Sequence, residues 1–219
     1  MARRRFRLRF GKQGNLRFIG HRDLMRTVER LLRRARLKVA TSQGFHPKPR
    51  ASYLSALPLG FSSCDEAMDL ILEEETSAED LLARLNAASV PGLTFFSACV
   101  LDEKTPKQKA RSFAYETRIP VARVAETRAK VAEFLASETF PVVKSNGKEL
   151  DARPCVLELA LDGDALRFTI AAQTGPEVGP RELLACLGLS AELYRTIFPM
   201  RVRSTLEVDE RDEPPFATL

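Results

Sequence analysis

Residues 5–41 read RFRLRFGKQGNLRFIGHRDLMRTVERLLRRARLKVAT, and two periods follow one another within them. Over 5–10 basic and apolar residues alternate, the period of a strand with one face buried. GKQGN (11–15) is a turn, and LRFIG (16–20) continues the strand or forms its hairpin partner. From His21 the period lengthens: Leu24, Met25, Val28, Leu31, Leu32 and Ala35 share one helical stripe. Arg22, Arg26, Glu29, Arg30, Arg33 and Arg34 take the other side. Asp23 in the first turn and the arginines of the last turn both suit the helix dipole. LKVAT (37–41) is again a strand.

Working outward, RASYLSALPLG (50–60) and EAMDLILEE (66–74) read as strands. SAEDLLARLNAAS (77–89) is a helix with Ser77 as N-cap and Asp80 three residues on. LTFFSACVL (93–101) closes a β-α-β-β-α-β series, the order of a ferredoxin-like domain. The polar run 102–112 has linker composition. Beyond it come a strand (113–120), a helix (121–137), a strand (140–145), a hairpin (155–172), two helices (180–189 and 191–198) and a last strand (200–208). The expected fold class is α+β, with two ferredoxin-like domains in tandem, the second elaborated by an extra hairpin. Their expected bounds are 1–103 and 112–209, with a linker at 104–111 and a mobile acidic tail at 210–219.

The chain has 219 residues, 44% apolar and 29% charged, ordinary for a globular protein, and no apolar run long enough to span a membrane. The basic N-terminus lacks the apolar core of a signal peptide, so a cytoplasmic location is expected. Cys64, Cys99, Cys155 and Cys186 form no close pair and sit among apolar neighbours; they read as small hydrophobes, and neither a metal nor another cofactor is expected. The charge is uneven. Residues 1–50 hold 16 Lys and Arg against only Asp23 and Glu29, while the remainder holds 18 basic and 27 acidic side chains. So local an excess points to a polyanionic partner, most simply nucleic acid.

Candidate contacts concentrate in that quarter. Arg22, Arg26, Arg30 and Arg33 offer about one guanidinium per turn, and the fork geometry of Arg suits phosphate. Arg17 precedes the helix. In SQGFHPKPR (42–50), Gly44 permits a turn while Pro47 and Pro49 stiffen the backbone. Phe45 and His46 can stack on unpaired bases, with Lys48 and Arg50 on phosphates. His21 and His46, the only histidines, are also weak candidates for a metal-independent ribonuclease. Asp151 and Arg153 suggest a surface ion pair of small worth. No P-loop, nucleophile elbow or dinucleotide fingerprint is present.

The stretch RLRFGKQGNLRFIGHRDLMRTVERLLRRARLKVATSQGFHPKPRASYLSALPLG resembles the opening of the bacterial radical-SAM-linked proteins. The motifs that carry the likeness are G-x-L-R-F, H-x-D-L-M-R and S-Q-G-F-x-P-x-P-R, within residues 5–101; KELDARPCVLELAL and LLACLGL resemble the family's second half. Where that family often has Ser-His and Asn, this chain has Gly20-His21 and His46. The resemblance implies a domain fused behind, or encoded beside, a radical SAM enzyme, here in free-standing form. No C-x-x-x-C-x-x-C is present to hold an iron–sulfur cluster, so the cluster would belong to the partner. The expected function is an accessory, RNA-binding module that presents tRNA or rRNA to a separately encoded radical SAM enzyme, with no DNA specificity and no membrane association. The alternatives are the ribonuclease and a purely protein-docking domain whose basic face meets acidic patches on the enzyme.

Overall fold

The computed structural model describes residues 3–102, 105, 107, 109–144, 147–172 and 178–207, without the side chains of Ala191 and Arg195. Parts of the expected linker and the whole of the expected tail lie outside these residues. The chain divides into two compact units, Met1–Lys109 and Ala110–Leu219.

In the first unit β1 (Arg4–Lys12) leads through a 3-10 turn (Gly14–Phe18) into α1 (His21–Arg34). β2 (Ala51–Tyr53), β3 (Ser62–Leu72), α2 (Ala78–Ala87) and β4 (Leu93–Leu101) follow. β1 lies between β3 and β4, and β2 flanks β3, all antiparallel. The alternation of β1 sorts its side chains by face. Phe6, Leu8 and Phe10 are buried in a core with Leu24, Val28, Leu31 and Leu32 of α1 and Leu81 and Leu85 of α2. Arg5, Arg7 and Arg9 take the opposite face, where Asp69 of β3 accepts from Arg5 (2.6 Å) and Arg7 (2.8 Å), and Asp65 from Arg9 (3.0 Å). Ser77 caps α2 by accepting from the Asp80 N–H.

In the second unit β5 (Ala110–Arg118) pairs with both β9 (Ala165–Ala171) and β10 (Met200–Leu206), and β8 (Val156–Asp162) pairs with β9. α3 (Val121–Ala136) buries Thr127, Val131 and Phe134. α4 (Pro180–Cys186) and the one-turn α5 (Tyr194–Ile197) precede β10. A separate pair, β6 (Pro141–Val143) and β7 (Glu149–Asp151), forms a two-stranded sheet of its own.

This arrangement corrects the expected fold. Two ferredoxin-like domains in tandem would each hold a four-stranded sheet of its own. Instead eight strands belong to one sheet, β6–β7 stand apart, and the molecule is a mixed α/β protein whose strand order is not that of the tandem pair. The physical reason is that alternation identifies a strand and its buried face but says nothing about which edges hydrogen-bond. Two local expectations also change. Residues 16–20 are not a strand, because Gly14 takes a positive φ of 58° and starts a 3-10 turn that tucks Leu16 and Ile19 against the core. Residues 37–41 make only isolated bridges, Val39 to Leu72 and Thr41 to Pro49.

Asp151 and Arg153 are joined by backbone, not as an ion pair. One Asp151 oxygen accepts from the N–H groups of Phe140 (2.7 Å) and Arg153 (2.9 Å), and Arg153 donates to the Ser137 carbonyl (3.3 Å) at the end of α3. These two N–H bonds hold the Asp151 carboxyl below its ordinary range. A lowered folded value stabilises above the unfolded value and is lost as pH falls through the folded one. Asp151→Asn is therefore expected to lower thermal stability at pH 7. Its deficit against wild type should narrow as pH drops below about 4, where the unfolded carboxyl begins to take up a proton, and close once the folded one does too. A deficit independent of pH would refute the charged cap.

Candidate nucleic-acid interface

The helix that carries most of the expected contacts is fixed at both ends. Gly20 precedes it with extended backbone, and Asp23 in its first turn pairs with Arg26 at 3.2 Å. At its other end Arg36 adopts a positive φ of 52°. Arg84 of α2 donates to the Ala35 (3.2 Å) and Arg36 (2.7 Å) carbonyls, and is itself held by Glu74 and Asp80. A cation on these carbonyls satisfies orphan acceptors where the macrodipole is negative. With the stripe Leu24, Val28, Leu31 and Leu32 buried, Arg22, Arg26, Arg30 and Arg33 all stand exposed. Arg22, Arg30 and Arg33 form no ion pair among the described residues, so their guanidinium groups are open to a partner. Arg17 lies over the ring of Phe18 at 4.6 Å, and Phe18 is itself about half exposed.

The loop 42–48 is closed by its own stem. The Ser42 N–H donates to the Lys48 carbonyl (2.8 Å), and the Lys48 N–H to the Ser42 hydroxyl (3.0 Å). Just outside, the Arg50 N–H donates to the Ala40 carbonyl (2.7 Å). Gly44 at the turn has φ of 131°, a conformation that side chains beyond Gly rarely adopt. This stem presents Phe45 fully to solvent, 102% of its reference exposure, with His46 and Lys48 exposed beside it. An aromatic ring held out on a braced loop has lost much of the freedom that binding would otherwise cost.

The expected contacts do not share one face. The side chains alternate along β2, so Tyr53 faces the core on the α1 side, while Arg50 and Ser52 lie on the side of Asp69. His21 packs edge-on against Tyr53, ring centroids 5.4 Å apart, and so serves as packing at the start of α1. Burial, with the Glu29 carboxylate nearby, pushes the Tyr53 phenol well up, so it stays protonated. His46 sits on the loop instead, and no contact joins it to His21.

The basic excess of the first quarter is also partly spent inside the fold. Besides Arg5, Arg7 and Arg9, Arg3 pairs with Glu73 (3.2 Å) and Arg4 with Glu75 (3.7 Å). Missed by sequence reasoning is a cleft of about 370 Å³ lined by Arg3, Arg5, Arg50, Ser52, Asp69 and Lys107. The alternation of β1 and the Asp69 of β3 were its only sequence signals. Of the cysteines, Cys155 is buried and Cys99 exposed, while burial pushes the Cys64 and Cys186 thiols up. Among the described residues no cluster of three or more His, Cys, Asp or Glu stands ready to hold a metal, and no helix is long and apolar enough to cross a membrane.

Fold and surface together define a mixed α/β protein that turns an arginine-bearing helix and a braced aromatic loop to solvent. The chain belongs to a bacterial family described as "uncharacterized protein conserved in bacteria" (DUF2344), whose model matches residues 5–180. No curated protein matches it.

Proposed function

We propose that this protein is a non-catalytic, cytoplasmic accessory module that binds RNA and presents it, as tRNA or rRNA, to a separately encoded radical SAM enzyme. The observation that carries the RNA reading is α1: its apolar stripe is consumed by the core, and four successive turns offer exposed arginines. Phosphates along a strand would meet Arg22, Arg26, Arg30 and Arg33, while Phe45 and His46 stack on a base splayed from its neighbours and Lys48 holds the adjoining phosphate. The radical SAM partner rests on the sequence resemblance of residues 5–101. Such a module needs no catalytic group of its own. The ribonuclease reading gains nothing from His21, which packs against Tyr53.

The test is affinity purification of the tagged chain at low salt, split into nuclease-treated and untreated halves, with RNA sequenced and proteins identified by mass spectrometry. A defined RNA that disappears when Arg22 and Arg26 are both replaced by Glu supports the reading and names the substrate. A radical SAM enzyme retained in both halves without any RNA would leave protein docking as the function.

A further inference from the structure

The second basic feature lies on the other side of the first unit's sheet from α1, and the proposed RNA contacts do not use it. In the cleft lined by Arg3, Arg5, Arg50, Ser52, Asp69 and Lys107, the single carboxylate is outnumbered. Asp69 already answers Arg5 at 2.6 Å and Arg7 at 2.8 Å, so it does not compensate the other cations. Arg5 is further anchored by the Thr105 carbonyl at 2.5 Å, with only 16% of its side chain exposed, which leaves a guanidinium fixed in place with donors to spare. Arg3 is answered by Glu73, which accepts from two of its guanidinium nitrogens at 3.2 and 3.3 Å. Arg50 and Lys107 form no ion pair among the described residues. Arg50 is placed by its backbone alone, its N–H on the Ala40 carbonyl and its carbonyl accepting from the Ile71 N–H. Ala51 and exposed Ser52 line the same wall, and Ile71 supplies an apolar side chain.

We infer that this cleft is a binding site for a phosphomonoester on a compact organic group, of the size and chemistry of a mononucleotide. Its charge and its size both select that class. One prefixed guanidinium flanked by unanswered cations suits a dianionic phosphate, for which Arg forks provide paired N–H donors, better than a single carboxylate. A volume of about 370 Å³ with an apolar wall is more than a bare anion fills and falls within the range of small-molecule pockets. The inference does not rest on RNA binding by α1. The phosphate can come from a free nucleotide or from the phosphorylated end of a chain.

The experiment is calorimetric titration of the full chain with AMP, adenosine and inorganic phosphate, followed by competition with trinucleotides carrying either a 5′-phosphate or a 5′-hydroxyl. AMP is expected to bind at least about tenfold more tightly than adenosine, since charge-assisted bonds to the phosphate are lost in the nucleoside. Arg50→Ala, which leaves the backbone bonds in place, should weaken AMP by about tenfold, and Ser52→Glu, at an exposed position, by at least as much. Both variants should unfold at the wild-type temperature, which separates loss of binding from loss of fold. Displacement by the 5′-phosphorylated trinucleotide alone assigns the site to a chain end, and failure of both trinucleotides to displace AMP assigns it to free nucleotide. Equal affinity for AMP and adenosine, absence of AMP binding, or indifference to both substitutions overturns the site. AMP binding without any RNA bound to α1 keeps the cleft and removes the RNA reading, and the converse does the reverse.

Discussion

With Arg22, Arg26, Arg30 and Arg33 all replaced by Ala, RNA affinity at physiological salt should fall about a hundredfold, and its salt dependence should flatten. Each phosphate neutralised on a single strand contributes about 0.7 to the slope of log affinity against log salt. Four contacts therefore account for a slope of about 3, and their loss costs most at low salt, where counterion release is worth most. The stripe that anchors α1 is untouched, Ala is the best helix former, and among the described residues Arg22, Arg30 and Arg33 hold no ion pair that the change would break. Only the exposed Asp23–Arg26 pair is lost, a contribution of well under about 1 kcal/mol. Folding should therefore survive, and the measurement is filter binding of the purified RNA from 50 to 300 mM salt, over which the Debye length falls from about 14 Å to about 6 Å. Phe45→Ala separates the second half of the proposed interface. It should weaken binding by about tenfold at every salt concentration, because stacking on a base is worth roughly 1–3 kcal/mol and releases no ions. A quadruple variant with unchanged slope would show that the phosphates lie elsewhere.

How much of this was legible depended on the kind of signal. The helix at 21–34 was legible because both its faces are written in one period: the stripe Leu24, Val28, Leu31, Leu32 is buried and the arginines between are not. The cap at Ser77 was legible because a capping residue acts within three positions of itself. The braced loop was legible as stiff, from Gly44 and its prolines, but not as a stem that puts Phe45 wholly in water; that follows from the Ser42–Lys48 bonds. The tandem ferredoxin-like reading failed because the order of elements does not fix the sheet to which their edges belong. The cleft was illegible for a related reason. Its walls come from residues up to about a hundred positions apart, as in the Arg5–Thr105 bond, and their charge depends on which arginines Asp69 and Glu73 have already answered. Composition counts every arginine alike; only the fold tells those that are spent, such as Arg7 and Arg9, from those that are available.

The entry into α1 itself carries the largest expected loss of stability. Gly92, just before β4, has φ of 87°, and its carbonyl accepts from the Gln13 N–H at 2.8 Å. A Cβ there would lie 2.4 Å from the Gln13 carbonyl oxygen, a backbone atom that cannot swing aside. Gly92→Ala thus adds a steric overlap to the left-handed strain, and relief of either breaks the bond that starts the turn leading to Gly20 and α1. The expected cost is about 3 kcal/mol, read from urea unfolding followed by far-ultraviolet circular dichroism. Gly14→Ala is the control. Gly14 also has a positive φ, 58°, but among the described residues nothing lies within 4 Å of the added methyl group, so only the conformational cost of about 1 kcal/mol applies. The difference between the two variants isolates the close approach of 13 to 92 from backbone strain. Equal losses would mean that strain alone governs both turns, and that the start of α1 is not pinned by the strand that follows α2.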